Sequence, residues 1–259
     1  MDLRHNTILI TGGTSGFGYE FAKQLLLLGN TVILTGRNLV KLDQAKRQLP
    51  GVHTFQSDVS DPAAIEDLYQ QVVTQFPALN ILINNAGEMR RLNLNDPAVD
   101  LHDVTREVDI NLLGPIRMVQ QFLPHLKTKK SAAIVNVSSG IALVPFPLSP
   151  VYGGTKAGLH SYTQSLRVQL RQTAVKVFEL LAPAAKTPLG DKFAGDADAI
   201  PTMDPAQVVA KALKALQRDQ WEVYPGLATA LRYMSRIAPG FLLNQMSKPF
   251  EKAFGQPKA

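Results

Sequence analysis

TILITGGTSGFGYEFAKQLLLLGN (Thr7 to Asn30) is the stretch from which the rest of the chain can be read. Its first five residues are β-branched or apolar without alternation, as in a strand buried on both faces of a parallel sheet. Gly12, Gly13, Gly16 and Gly18 follow at once, and then a helical pattern places Phe17, Phe21, Leu25 and Leu28 inward. The Leu25 to Leu28 run reads as core packing, and Gly29-Asn30 stops the helix. Strand, glycine turn and helix together make a phosphate-binding context. A backbone without Cβ atoms lets a pyrophosphate approach, and the helix N-terminus offers unpaired N–H groups and a positive dipole end.

Outward from this unit the alternation repeats. Further strands are expected at TVILTG (Thr31 to Gly36), VHTFQS, NILIN, AAIVNVS, VKVFELL and WEVYP. Between them lie helical patterns: one from about Leu39 to Leu49, and one opened by Pro62 behind an Asp61 cap. A long one runs through Val108, Leu112, Ile116 and Val119 to about Leu126, another carries Tyr152 to about Arg171, and a last is capped by Asp204-Pro205. This pattern predicts an α/β fold, a doubly wound, seven-stranded parallel sheet in a single domain spanning residues 1–259. Residues 184–203, rich in proline, glycine and small side chains, read as a loop beside the site. Residues 227–259 form a basic, apolar C-terminal extension.

A second motif lies in SGIALVPFPLSPVYGGTK (Ser139 to Lys156). Tyr152 and Lys156 are four apart, one turn along a single helix face. On its own that pair is commonplace on helix surfaces. Beside a phosphate loop it becomes chemical, because an ammonium group near a phenol favours the phenolate and lowers its pKa toward acid–base use. Ser139, at the end of a strand, can steady the oxygen on which Tyr152 acts. A hydrolase built from Ser139, Tyr152 and His160 is rejected, since Ser139 does not sit on a nucleophile turn. His5, His53, His102 and His125 lack metal-ligand spacing, so no metal site is expected.

Composition narrows the partners. The chain has 259 residues, 45% apolar, no cysteine, and 27 basic against 21 acidic side chains. That excludes a disulfide framework and a thiolate nucleophile, and fits a cytoplasmic protein. No apolar run has the length of a membrane span. The net charge of +6 comes without a basic stripe interleaved with aromatics, so no nucleic-acid partner is expected. In the extension, Leu231, Met234, Phe241, Leu242, Leu243, Phe250 and Phe254 are expected to pack on the body or on a neighbouring subunit rather than on a membrane surface, despite Arg232, Arg236, Lys248 and Lys252.

TGGTSGFG (Thr11 to Gly18), NNAG (Asn84 to Gly87), Asn111 in VDINLLG, NVSS (Asn136 to Ser139) and YGGTK (Tyr152 to Lys156) occur in order. From the first strand to about the seventh the chain resembles the short-chain dehydrogenase/reductase family. NTILITGGTSG, TVILTGRN, INLLGPI, FLPHL and LHSYTQSLR are similar to its subgroup named for the oxidoreductase of the D-alanyl lipoteichoic acid operon. The resemblance implies a Rossmann fold and hydride transfer between a nicotinamide and a small-molecule carbonyl or alcohol. It implies Tyr152 as proton donor or base, Lys156 on the nicotinamide ribose, Ser139 on the substrate oxygen and Asn111 holding a relay water. Gly12, Gly16, Phe17 and Gly18 would shape or line the pyrophosphate loop. Asp58 and Val59 would meet adenine, with Asn85, Ala86 and Gly87 beside the cofactor. Pro183 and Thr187 would meet the carboxamide. A homo-oligomer, dimer or tetramer, is implied through the helices at Val104 to Leu126 and Tyr152 to Arg171.

The chain departs from the family pattern at three places. Ala184 replaces the glycine after Pro183, Glu88 replaces an aliphatic residue, and Gly154 replaces a common alanine. The apolar Ile141, Leu143, Val144, Phe146 and Leu148, with Leu189 and Phe193, suggest an apolar carbonyl compound as substrate. The coenzyme is read from the end of the second strand. Gly36 leaves no carboxylate for ribose hydroxyls, and Arg37 follows, with Asn38, Thr14 and Ser15 as neutral donors. A guanidinium suits a 2′-phosphate, so the expectation is NADP(H). The competing expectation, from another class, is a catalytically silent NADP(H)-binding sensor or scaffold.

Overall fold

The computed structural model describes residues 1–191, 193 and 200–255. Among them β1 (Thr7–Thr11), β2 (Thr31–Gly36), β3 (His53–Gln56), β4 (Leu79–Asn84), β5 (Ala132–Ser139), β6 (Val175–Ala182) and β7 (Glu222–Val223) form one sheet. The order is β3-β2-β1-β4-β5-β6-β7, with every pair parallel. The direction of winding reverses between β1 and β4, so loops after those two strands part from each other and leave a crevice at the carboxyl edge.

The helices on one face are α1 (Gly16–Leu27), α2 (Leu39–Gln48) and α8 (Pro205–Gln217). Phe21, Leu25, Leu42, Val208 and Leu216 pack there against Ile8, Leu34 and Phe178 of the sheet. The other face carries α3 (Pro62–Gln75), α5 (Gly114–Lys127) and α6 (Pro150–Leu170), with Ile65, Leu68, Met118, Phe122 and Leu166 against Leu9, Leu82 and Ile134. Asp61 and Asp204 cap α3 and α8, each accepting from the amide two residues on, Ala63 and Ala206.

Three expectations are corrected. Leu27 is 81% exposed, so the Leu25 to Leu28 run is not all core: at 100° per residue one of four consecutive positions must turn outward. The long helix ending near Leu126 is not continuous. It starts as α4 (Arg106–Val108), widens into a π-helical turn (Asp109–Leu113) and resumes as α5. The seventh strand is two residues long, an edge strand held by its register on Glu179 and Leu180.

Residues 184–203 contain the four-residue helix α7 (Pro188–Asp191) and a bridge between Ala185 and Met203; the remainder of that loop at 192 and 194–199 lies outside the described residues. The extension folds as α9 (Leu227–Ile237) and α10 (Pro239–Phe254). Ala228 and Leu242 are buried on the body, and Leu231, Met234, Met246 and Phe250 are partly covered. Phe241, Leu243 and Phe254 stay exposed, as do Tyr233 and Ile237. No helix among the described residues is long and apolar enough to cross a membrane.

Candidate active site

The glycine loop is shaped by contacts that exclude a side chain. Gly12 has φ +65°, and a Cβ there would lie 2.7 Å from the Ala86 Cα. A Cβ on Gly18 would meet the Gly12 carbonyl oxygen at 2.4 Å and Asn85 Nδ2 at 2.5 Å. The first turn of α1 therefore sits hard against both loops of the crevice, with its free N–H groups directed there. Asn85 spends its side chain on this arrangement: Nδ2 donates to the carbonyls of Thr11 and Gly12, both at 3.0 Å. Thr11 Oγ1 in return accepts from the amides of Asn85 and Ala86, both at 3.0 Å. Thr11 was not legible as a site residue, because in sequence it is one more β-branched strand position.

Around the adenine end, Ser15 is the N-cap of α1 and its side chain makes no capping bond; it is exposed, and Thr14 before it is half-buried. Asn38 Oδ1 accepts from the Lys41 amide as the cap of α2, which commits that oxygen to the helix. Arg37 is 58% exposed, its Nη1 3.7 Å from Asp58 Oδ2. The other oxygen of Asp58 accepts from the Ser60 amide and hydroxyl at 2.9 and 2.7 Å. Val59 is buried under Gly114, where a Cβ would press on its carbonyl at 3.0 Å. Phe17 lies partly buried against the core at the start of α1.

Thr187 closes the opposite side. A Cβ on Gly16 would touch its Cγ2 at 3.4 Å, so the chain after β6 folds over the glycine loop. Pro183 flanks Gly226, and Ala184 replaces glycine without strain: its carbonyl accepts from the Met203 amide at 2.9 Å and its φ is not positive. The glycine of the family pattern is not required where the chain pairs instead of turning.

Tyr152 and Lys156 lie within α6, 5% and 4% exposed. Lys156 Nζ donates to the Val137 carbonyl at 2.9 Å and sits 5.7 Å from the centre of the Tyr152 ring. Ser139 ends β5 as expected; its Oγ accepts from the Ile141 amide at 3.3 Å and caps the 3-10 turn Gly140–Leu143. Asn111 is fully buried in the π-helical turn. Its Nδ2 donates to the Glu88 carbonyl at 2.8 Å and to Thr155 Oγ1 at 3.3 Å, while Oδ1 accepts from the Glu88 amide at 2.8 Å. Thr155 Oγ1 donates to the Tyr152 carbonyl at 2.7 Å, which links Asn111 to the tyrosine's own turn. A Cβ on Gly87 would lie 3.2 Å from Asn111 Oδ1 and 3.8 Å from Lys156 Nζ. Asn111, Gly87, Lys156, Tyr152 and Ser139 thus converge at the carboxyl edge. A π-turn at such a point re-aims side chains that a regular helix would space differently.

The electrostatics differ from the expectation that Lys156 lowers the tyrosine pKa. Burial pushes the Tyr152 phenol up to about 12, with the nearby Ser139 hydroxyl pulling it down and Glu107 adding to the rise. Burial also lowers Lys156 to about 8, partly opposed by the charge of Glu179. Burial is the leading cause of both shifts, and neither group contributes to the other's. The phenol is therefore held in its proton-donating form. Glu88 does not make the mouth a free anion: Arg106 Nη2 pairs with it at 2.8 Å. Gly154 has open space around it, so packing does not demand a glycine there.

Phe146, Leu148 and Phe193 are buried together, covered by Met89, Ile141, Met246, Phe250 and Ala253. The C-terminal helix α10 thus completes an apolar enclosure over the loop after Ser139. Gly140 belongs to this contact, since a Cβ would meet Ala228 and Leu231 of α9, each at 3.3 Å. The share of α9 and α10 in the site was not visible in sequence, where their apolar residues carry no motif. Among the described residues no group of three potential metal ligands gathers.

Residues 6–197 match the family model of the short chain dehydrogenases. The Bacillus subtilis oxidoreductase DltE is 44% identical over 192 residues, covering 74% of this chain and 76% of that protein. A short-chain dehydrogenase from Sphingobium yanoikuyae in complex with NADPH superposes with a TM-score of 0.79 at 26% identity, over 93% of this chain and 95% of the other. One from Burkholderia phymatum in complex with NAD has the same fold, TM-score 0.79 at 22% identity over 90% and 93%. With its crevice at the sheet's switch point and its tyrosine, lysine and serine at one edge, this chain belongs to the short chain dehydrogenase family, oxidoreductases acting between an alcohol and a carbonyl with a nicotinamide cofactor.

Proposed function

We propose that the protein is an NADP(H)-dependent reductase of apolar carbonyl compounds, with Tyr152 as its general acid, or its base in the reverse direction. The observation that carries this reading is Tyr152, buried on α6 with Lys156 one turn on and the Ser139 hydroxyl beside its own; the apolar Phe146, Leu148, Phe193 and Phe250, packed together on the loop after Ser139, support an apolar substrate. The cofactor supplies or accepts the hydride when bound. Gly12, Gly16 and Gly18 with the start of α1 would hold its pyrophosphate, Lys156 its ribose, and Arg37 a 2′-phosphate. Ser139 orients the substrate oxygen, and the Tyr152 hydroxyl gives that oxygen its proton as negative charge develops there. Lys156, as an ammonium, stabilises the phenolate left behind, and Asn111 keeps Gly87 and Glu88 in place beside it. The test is coenzyme oxidation with a panel of aliphatic and aromatic aldehydes and ketones against sugars and charged carbonyl compounds. Turnover confined to the charged set would overturn the apolar assignment.

The pH profile follows from Lys156. Its charged form, present below about 8, is the working one, so kcat/KM should be level near neutrality and decline as pH rises through that value. The phenol, raised to about 12, does not set this limb. A profile still level at pH 10 would contradict the assignment of the ammonium.

The assembly is read as a homo-oligomer. The outer face of α6 is open at Gly154 and Ala157, and beside it Ile141, Val144, Phe146 and Pro150 line an apolar groove of about 520 Å³. Light scattering at micromolar concentration should give a mass at least twice that of one chain; a monomer would refute this.

A further inference from the structure

His160 stands two turns beyond Tyr152 on α6, and the reaction described above does not use it. Its Nδ1 lies 2.8 Å from Glu179 Oε2 of β6. The other oxygen of that carboxylate accepts from Ser138 Oγ of β5 at 2.5 Å. Glu179 is 0% exposed and Ser138 2%. An ionised carboxylate in such a place is costly unless hydrogen-bonded, and here each oxygen has a donor.

The connections of this group reach the catalytic residues directly. Ser138 precedes Ser139, and His160 is one turn from Lys156. Lys156 itself holds the Val137 carbonyl, on the residue before Ser138. Two successive turns of α6 are thus fastened to the end of β5, one by the lysine and one through His160 and Glu179. We propose that Glu179 is a positioning residue for this reaction: by binding Ser138 and His160 at once it locks the serine-bearing strand to the tyrosine–lysine helix. This rests on the reductase reading above.

The charged and titratable groups around the relay are limited. Lys156 and Tyr152 lie toward the site, and Glu107 acts on the tyrosine. On the far side, Gln164 Nε2 approaches His160 Nε2 at 3.2 Å, and Arg167 pairs with Glu222 of β7 at 3.0 Å. Tyr224 donates to the other Glu222 oxygen at 2.7 Å. Glu222 is engaged by Arg167 and Tyr224, and the charge of Glu179 raises Lys156 against the lowering by burial.

The experiment compares Glu179→Gln and Glu179→Asp with the unmodified protein. Glu179→Gln keeps the shape and removes the charge. The alkaline limb of kcat/KM should move to lower pH by about 0.5–1 unit, while NADPH affinity at pH 6.5 is unchanged. Glu179→Asp keeps the charge but is too short to reach both partners, so the limb should stay in place while kcat falls about tenfold, the scale of a small misplacement. Should Glu179→Gln fail to fold, His160→Gln replaces it: the imidazole partner of Glu179 is lost while Glu179 itself stays, so kcat falls and the limb stays. A limb unmoved in Glu179→Gln, or full kcat in Glu179→Asp or His160→Gln, overturns the proposal. If the unmodified protein turns over nothing, the reductase reading fails by itself. The relay is then judged by nuclear magnetic resonance, with His160 titrating above the ordinary imidazole value of ~6.5 and returning toward it in Glu179→Gln; no return overturns it.

Discussion

Tyr152→Phe is expected to lower turnover by about 10²-fold or more while leaving coenzyme affinity close to that of the unmodified protein. The ring is 5% exposed and stays so in the variant, which keeps its volume and its place on α6. Only the hydroxyl is lost, and with it the proton that the developing alkoxide takes. Ser139 remains, but an aliphatic hydroxyl is a far weaker acid than a phenol and is a poor substitute as proton donor. Lys156 still reaches the Val137 carbonyl, so its hold on a ribose should survive. The measurement is kcat with a saturating aldehyde, alongside coenzyme titration by fluorescence. Near-normal kcat in the variant would falsify the assignment of Tyr152.

Arg37→Ala should weaken NADPH by ~1.5–3 kcal/mol, the range of a hydrogen bond to a charged group, or roughly 10- to 150-fold in Kd. NADH should bind as before, because it has no 2′-phosphate. The local structure favours this reading. β2 ends in Gly36, so no carboxylate stands there for the ribose hydroxyls, and a Cβ at that place would only touch Thr14 Cγ2 at 3.4 Å. Arg37 is 58% exposed and its link to Asp58 is a long one at 3.7 Å, of the kind that contributes little in water. The guanidinium can therefore leave that partner at small cost. Asp58 is meanwhile held to Ser60, so it does not follow the arginine or turn toward the ribose in its place. Equal Kd values for the two coenzymes in the unmodified protein would remove the basis for the assignment.

The strand–glycine–helix unit was legible because its information is local. Residues Thr7 to Thr11 read as a two-face buried strand, and they are buried throughout. The glycines were legible by residue type and by their place between strand and helix, although the contacts that exclude a Cβ from Gly12 and Gly18 come from Ala86 and Asn85, far along the chain. Tyr152, Lys156 and Ser139 could be singled out because helical and strand periods place their side chains and the glycine loop gave that placement a chemical context. Asp61 and Asp204 capped the helices they were expected to cap.

What was not legible depends on pairs distant in sequence. Asn85 bonds to Thr11 and Gly12 across more than 70 positions. Nothing near Asn111 shows that its helix opens into a π-turn, because the cause is the grip of its side chain on Glu88 and Thr155. Glu179 looks out of place in an apolar strand until β5 and α6 bring Ser138 and His160 to its two oxygens. The direction of the Tyr152 shift also came from tertiary structure. Spacing predicts that an ammonium lies near, whereas burial depends on everything packed above. By itself the sequence determined the sheet, the glycine loop and which side chains stand as candidates for the reaction, since these follow from backbone period and side-chain type. Only the tertiary structure decided their burial, their supports and the apolar cover from α10, because desolvation and buried hydrogen bonds exist only once distant segments have met.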